Sequence, residues 1–471
     1  MNKYKKLVKN SGIFMVANFG SKFLTLLLGG VYTNVLTTAE YGIIDVFITT
    51  SNLSIPIVTC CIVESVLRFS IDEIDSRKKI YSTGLLFAFA GSIIFLVTIP
   101  VFYQIPTFKD NLPMLYLLVF TSSLSTISGN FTKGIGKIKI FAANGIFHTV
   151  VLMTLNILFL VVFEFGIKGY FYAYIIANII SFLFVFLSAR LQKYLTLNFD
   201  KMYIKDMLRY SFPLVPNTIF WWIMKSSDRY VIIYMLDSSA NGLYSVAHKI
   251  PTLISTISHI FFQAWQLSSV EEAKSKDKNK FYTNVFKLTA MMLILISSGF
   301  MIVLQPVYKI WLDPAYYEGW RVVPLLFLAS IFSSFSSFLG TNYVAMKKTK
   351  GTLFTTLFGA VLNLILNLIL TPFMGLEGTA LATAIAFAAT WIIRSIDTRK
   401  FARIKYEFKS FSLPLLILIV QIMVLTFWLK SIVLQSIFFI VIFLIYFKEI
   451  FNMLNKVIRS LKKSKKLESF K

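Results

Sequence analysis

The chain is 471 residues long, 56% hydrophobic and only 15% charged, with 47 Lys plus Arg against 22 Asp plus Glu, a net charge of +25 and a mean hydropathy of +0.71. A soluble domain carries about 25% charged residues and roughly 45 to 50% apolar ones, so a soluble globular protein is excluded and an all-α polytopic membrane protein is expected. Fourteen spans of about 20 residues would use about 280 residues, which leaves no loop large enough for a folded soluble domain.

The segment Met1 to Asn10 is basic, and the apolar stretch behind it runs past Leu28 without a small-residue cleavage site. This predicts a first span rather than a removed signal peptide. Apolar stretches of span length are then expected at 13–36, 43–67, 81–103, 112–131, 141–163, 167–189, 210–236, 243–270, 285–304, 321–345, 353–372, 376–393, 412–429 and 432–447. With loops assigned alternately, the side that holds the amino terminus carries 38 basic residues, the opposite side five, and the spans four. One missed or extra helix would invert every later loop and erase this asymmetry, so the even count and cytoplasmic termini follow from the positive-inside rule. The same distribution explains the net charge through topology and anionic lipid head groups, not nucleic acid.

Cys60 and Cys61 are adjacent inside an apolar segment and read as small hydrophobes, with no disulfide framework and no metal site. Internal repetition decides the architecture. Ala39 to Val46 reads AEYGIIDV and Ser239 to Val246 reads SANGLYSV, so Gly42 falls on Gly242 at an offset of 200. Gly166-Ile-Lys-Gly169 with Ala173 and Ala177 matches Gly375-Leu-Glu-Gly378 with Ala382 and Ala386 at an offset of 209. Two parallel six-span repeats are expected, at 1–207 and 208–411, followed by two further spans over 412–450 and a basic tail over 451–471. Paired bundles of this kind suit alternating access around a site between them. The glycines themselves fit a tight turn with close helix packing.

Ionisable groups inside spans are expensive and mark cavities or ion pairs. Lys22 lies about nine residues, roughly 14 Å, into the first span. In span seven, Pro213 and Pro216 predict a bent or broken start, and Lys225, Asp228 and Arg229 follow. Lys225 and Arg229 share a face, with Asp228 able to neutralise one of them. Span eight adds His248, Lys249, His259, Gln263 and Gln266, the glutamines as sugar contacts or helix–helix bonds. Asp45, Glu64 and Asp228 are the acidic residues, and Glu64 with Arg68 reads as an i, i+4 ion pair. Lys22, Lys225, Arg229 and Lys249 would give a cationic chamber suited to a phosphate-bearing passenger, with Asp45, Asp228, Glu64 and His259 tuning charge or coupling.

Signals for an enzyme are poor. Gly134-Ile-Gly136-Lys137 lacks phosphate-loop spacing, H-E-x-x-H is absent, and no nucleophile and base stand at a workable spacing; no cofactor is implied.

Gly20-Ser-Lys22, Leu36-Thr-Thr-Ala-Glu-Tyr-Gly42 and Gly242-Leu-Tyr-Ser-Val-Ala-His-Lys249 resemble polysaccharide transporters of the Wzx flippase type. Their superfamily includes the multidrug and toxin exporters and the lipid II flippase. The resemblance implies a V-shaped pair of six-helix lobes in a bacterial cytoplasmic membrane. Its passenger would be an undecaprenyl-pyrophosphate-linked oligosaccharide for capsule, O-antigen or exopolysaccharide synthesis, with a polysaccharide polymerase and chain-length proteins as pathway partners. It also implies that Lys22, Arg68 and Lys249 contact the pyrophosphate, that Asp45 matches an acidic position in span two, and that spans thirteen and fourteen offer a groove for the polyprenyl tail. The alternatives are a drug exporter of the same superfamily, whose chamber should be acidic or apolar, and a membrane polymerase or ligase, which should have a longer outer loop.

Overall fold

The computed structural model describes residue 20 and residues 24–271, 277–346, 349–400, 402–428 and 431–468. All regular structure in them is helical, and ten helices are long and apolar enough to cross a membrane among the described residues. The first half comprises α1 (Leu24–Val35), α2 (Thr38–Val58), α3 (Ile62–Asp72), α4 (Arg77–Phe95), α5 (Ile99–Tyr103), α6 (Pro106–Lys109), α7 (Leu112–Gly134), α8 (Ile138–Asn156) and α9 (Gly166–Ser188). A linker helix, α10 (Lys201–Ser211), leads to α11 (Leu214–Ser226), α12 (Asp228–Met235), α13 (Ser238–Glu271), α14 (Lys278–Trp311), α15 (Val323–Ala345) and α16 (Thr349–Asp397). Two more helices, α17 (Leu413–Phe427) and α18 (Ile432–Glu468), end the chain.

Local chemistry sets the breaks. Thr37 and Glu40 form a capping box that starts α2 after a short turn. The apolar segment 43–67, expected as one continuous span, is broken between α2 and α3: Pro56 lies in the last turn of α2, and Cys60 and Cys61 both take left-handed φ, +51° and +53°. Pro213 sits at the start of α11, so the chain does break where the two prolines predict. Gly166 and Gly375, matched by the repeat, both adopt positive φ, +55° and +59°, which glycine reaches without a Cβ penalty. The second of these splits the 49-residue α16. Their companions pack alike, for a Cβ on Gly169 would meet the Phe159 carbonyl and one on Gly378 the Leu370 carbonyl.

Burial ranks the helices. The apolar window of α15 is 83% buried, against 6% for the Arg77–Tyr103 segment and 17% for Ile138–Val162. Polar residues on α15 therefore face protein or cavity, whereas α4 and α8 turn apolar side chains outward. The linker is tied down by Ser65, whose hydroxyl donates to the Met207 carbonyl, and by an ion pair between Lys79 and Asp200 at 2.9 Å. On the last two helices, Gln421 accepts from Ser298 of α14 and donates to the Gln435 carbonyl of α18.

The halves meet where α2 crosses α13. A Cβ on Gly42 would lie 1.9 Å from the Ser238 carbonyl oxygen, and one on Gly242 would lie 2.0 Å from that of Thr38. Each glycine thus admits the start of the other's helix, a reciprocal contact between matched positions of the repeat. Asn241 seals it by donating to the Gly42 carbonyl at 2.8 Å.

Candidate functional site

A cavity of about 440 Å³ lies in the second half among α11, α12, α13, α15 and α16. Ser330, Ser333, Ser334, Ser337 and Thr341 recur at helical spacing on one face of α15 and line one wall. Thr252, Ser255 and Ser258 of α13 face them, and Thr383 of α16 completes nine hydroxyl side chains. Ser334 donates to Ser258 across the cleft at 3.1 Å. Lys225, Arg229 and His248 supply the rest of its polar lining.

These basic groups are not equivalent. Arg229 is held by two carboxylates, Nη1 to Asp228 at 2.8 Å and Nε to Asp45 of the first half at 3.2 Å. Asp228 is almost fully buried; it also accepts from the Tyr244 hydroxyl at 2.6 Å and has His248 Nε2 at 3.8 Å. Asp228 thus neutralises Arg229 rather than Lys225. Lys225 lies in the cavity wall without a carboxylate among the described residues, its Nζ 5.2 Å from the Trp221 ring centre. Beside Arg229 and His248 a smaller cavity of about 220 Å³ continues to Asp45, Tyr41 and Lys249. Lys225, Arg229 and Lys249 thus stand with Asp45 and Asp228 around the two cavities.

Other expected residues are placed elsewhere. Arg68 pairs at 3.0 Å with Asp72, one turn after it, in place of the expected Glu64 one turn before it, and both Arg68 and Glu64 are exposed on α3 away from the two cavities. Lys22 and the side chains of His259, Gln263 and Gln266 lie outside the described residues. Among the described residues no group of three or more His, Cys, Asp and Glu could hold a metal ion.

Three features escape a sequence scan. The hydroxyl face of α15 is visible in hindsight as the spacing of Ser330, Ser333, Ser334 and Ser337. Tyr32 and Tyr41, which flank Lys249, give no signal in an aromatic-rich chain. Arg394, counted with a cytoplasmic loop, is fully buried in α16. Its guanidinium donates to Thr355 Oγ1, the Ser336 carbonyl, Thr356 Oγ1 and the Thr352 carbonyl, at 2.8 to 3.4 Å. It ties α15 to both parts of α16.

Helices of this number and polarity around an internal cavity define a multi-pass membrane protein of transporter type, and comparison with known proteins agrees. Residues 7–266 match the polysaccharide biosynthesis protein family. The chain belongs to that family, which bears out the resemblance to Wzx-type polysaccharide transporters. No curated protein sequence matches the chain. Among solved structures, the lipid II flippase MurJ in an inward closed conformation superposes with a TM-score of 0.74 at 16% identity, over 94% of this chain and 99% of that one. A multidrug resistance MATE family transporter of the MOP superfamily, inward-facing, gives 0.68 at 14% identity, over 80% and 94%. A MOP superfamily transporter from Pyrococcus furiosus Vc1, described as having a binding pocket of reverse polarity, gives 0.57 at 14% identity, over 83% and 94%. At such identities the likeness is one of fold. Family and fold are those of transporters rather than enzymes.

Proposed function

We propose that the chain is a flippase carrying an undecaprenyl-pyrophosphate-linked oligosaccharide across a bacterial cytoplasmic membrane, for capsule, O-antigen or exopolysaccharide synthesis. It works by alternating access between two six-helix lobes, 1–207 and 208–411. Spans thirteen and fourteen are appended over 412–450, and both termini are cytoplasmic. The observation that carries this reading is the composition of the larger cavity: nine hydroxyl side chains beside Lys225 and Arg229. Hydroxyls donate and accept, as a glycan requires, and cations attract phosphate. A site for lipophilic cations would instead need apolar or acidic walls. In this reading Lys225 is the first anion contact, Arg229 with Asp45 and Asp228 shapes the field behind it, and Lys249 acts from the meeting of the lobes; Lys22 is a further anion contact. The contacts of α2 with α13 hold the outer side closed, so the cavity loads from the cytoplasm.

The test is to deplete the protein in its host and ask which leaflet holds the glycolipid, using a membrane-impermeant sugar-reactive probe on intact protoplasts. Accumulation on the inner leaflet is expected. Unpolymerised glycolipid on the outer leaflet would assign the defect to a polymerase or ligase, and an unchanged distribution would refute the flippase reading.

A further inference from the structure

The ammonium of Lys249 is buried between the two halves, with no hydrogen-bond partner among the described residues. Its Nζ lies 5.1 Å from the ring centre of Tyr32 on α1 and 5.0 Å from that of Tyr41 on α2. Gly29 backs this cage: a Cβ there would come 3.1 Å from Nζ and 2.8 Å from the Trp311 ring. Tyr41 stands edge-on to Tyr316, which donates its hydroxyl to the Leu36 carbonyl at 2.9 Å. A lysine of the second half is thus inserted into an aromatic cage of the first, beside the reciprocal contact of Gly42 and Gly242.

Ring faces attract a desolvated ammonium, but they carry no formal charge. An anionic oxygen does, and it also accepts charge-assisted hydrogen bonds, so it competes for Nζ with advantage. Such a competitor has a route. The smaller cavity containing Lys249 shares Arg229, His248 and Thr252 with the larger one, so an anion held beside those three residues adjoins the cage.

We propose that Lys249 is a latch released by the passenger: its ammonium holds the two halves together through Tyr32 and Tyr41 until an anionic group in the adjoining cavity draws it out and lets the halves part. The inference rests on the transport reading for what the parting accomplishes. The shared ligand chemistry is an anionic oxygen, which a pyrophosphate or an acidic sugar could supply. A cage for the empty state keeps the closed side sealed until there is something to carry.

The experiment places spin labels at Ala39→Cys and Ser239→Cys, in a Cys60→Ser, Cys61→Ser background, and reads their separation by pulsed electron resonance in nanodiscs. Inorganic pyrophosphate and glucuronate are added in separate arms. The empty protein should show one short distance, and a several-fold rise in a longer distance in either arm identifies which anion releases the latch. Tyr32→Leu with Tyr41→Leu, and Lys249→Gln, should each raise the longer distance without anion and respond no further. Tyr32→Phe with Tyr41→Phe, which keeps the ring faces, should behave as the parent. No response in either arm, a short distance kept by the Leu pair, or a longer distance in the Phe pair would overturn the latch. Because no glycolipid is involved, its failure is separable from failure of the flippase reading.

Discussion

Arg229 of α12 reaches across the molecule to Asp45 of α2, 184 positions earlier, with Nε 3.2 Å from Oδ2, while Asp228 of its own helix holds Nη1 at 2.8 Å. One guanidinium therefore joins the two halves and settles the charge of its own helix. Its side chain is only 11% exposed, so water does little to screen the pair.

The two partners should differ in cost. Removing one member of a buried ion pair strands a charge at about 3–5 kcal/mol, which is the expectation for Arg229→Met, since it orphans two carboxylates. Asp45→Asn leaves Arg229 with Asp228 and should cost only about 1.5–3 kcal/mol, the range of a hydrogen bond to a charged group. Thermal unfolding in detergent checks the order, and a reversed order would refute the assignment.

Gly42→Ala should loosen the contact of α2 with α13. The new Cβ cannot sit 1.9 Å from the Ser238 carbonyl, so α2 and α13 must separate. Overpacking of about 1–3 kcal/mol would lower the ratio of joined to separated helices by roughly 5- to 150-fold. Gly145→Ala, whose Cβ would meet nothing within 4 Å, is the control, and cysteine cross-linking between the two helices is the readout.

Lys225→Gln should abolish glycolipid transport and leave folding alone. Its ammonium has no carboxylate to strand among the described residues, so its melting temperature should shift by no more than about 0.5 kcal/mol implies. Lys225→Arg, which keeps the charge, should retain part of the transport. Leaflet labelling in the host, with protein level measured alongside, separates these outcomes.

Arg394→Met should destabilise by about 1.5–3 kcal/mol, the range of a hydrogen bond to a charged group, because it removes the guanidinium's bonds to α15 and α16 while the Thr355 and Thr356 hydroxyls keep theirs to the Gly351 and Thr352 carbonyls. Arg394→Lys should recover only part, as a compact ammonium cannot span acceptors arranged for a fork. The melting transition in detergent checks both.

At the linker, the hydrogen bond from Lys79 holds the Asp200 carboxyl below its ordinary range. A lowered carboxyl adds stability above its unfolded-state pKa and loses it as pH falls through the folded value. The wild type should therefore lose melting temperature below about pH 4. Asp200→Asn, which can still cap the Met202 N–H, should lose less over the same interval, and a pH series of melting curves compares them.

Much of this protein is written in patterns that need no partner. Apolar runs of span length mark a membrane protein because the bilayer has a fixed thickness and requires every backbone group in it to be satisfied within the helix. The matched glycines were legible for a similar reason: a positive φ at Gly166 and Gly375 is a local demand on one residue. So were the broken start of α11 at Pro213 and the intramembrane charges of α12 and α13.

The pairing of those charges was not legible, because spacing names neighbours on a helix and cannot rank partners from elsewhere. Arg68 had carboxylates one turn away on either side and took Asp72, not Glu64; Arg229 found Asp45 only because α2 crosses beside α12. Arg394 looked like a loop cation until the length of α16 carried it into the interior. The serines of α15 became a cavity wall because tertiary packing buried that helix and left their face unfilled. Sequence alone thus determined what each segment must be in a membrane, and the tertiary structure decided which charges are spent on one another and which, as at Lys225, line a cavity without a carboxylate among the described residues.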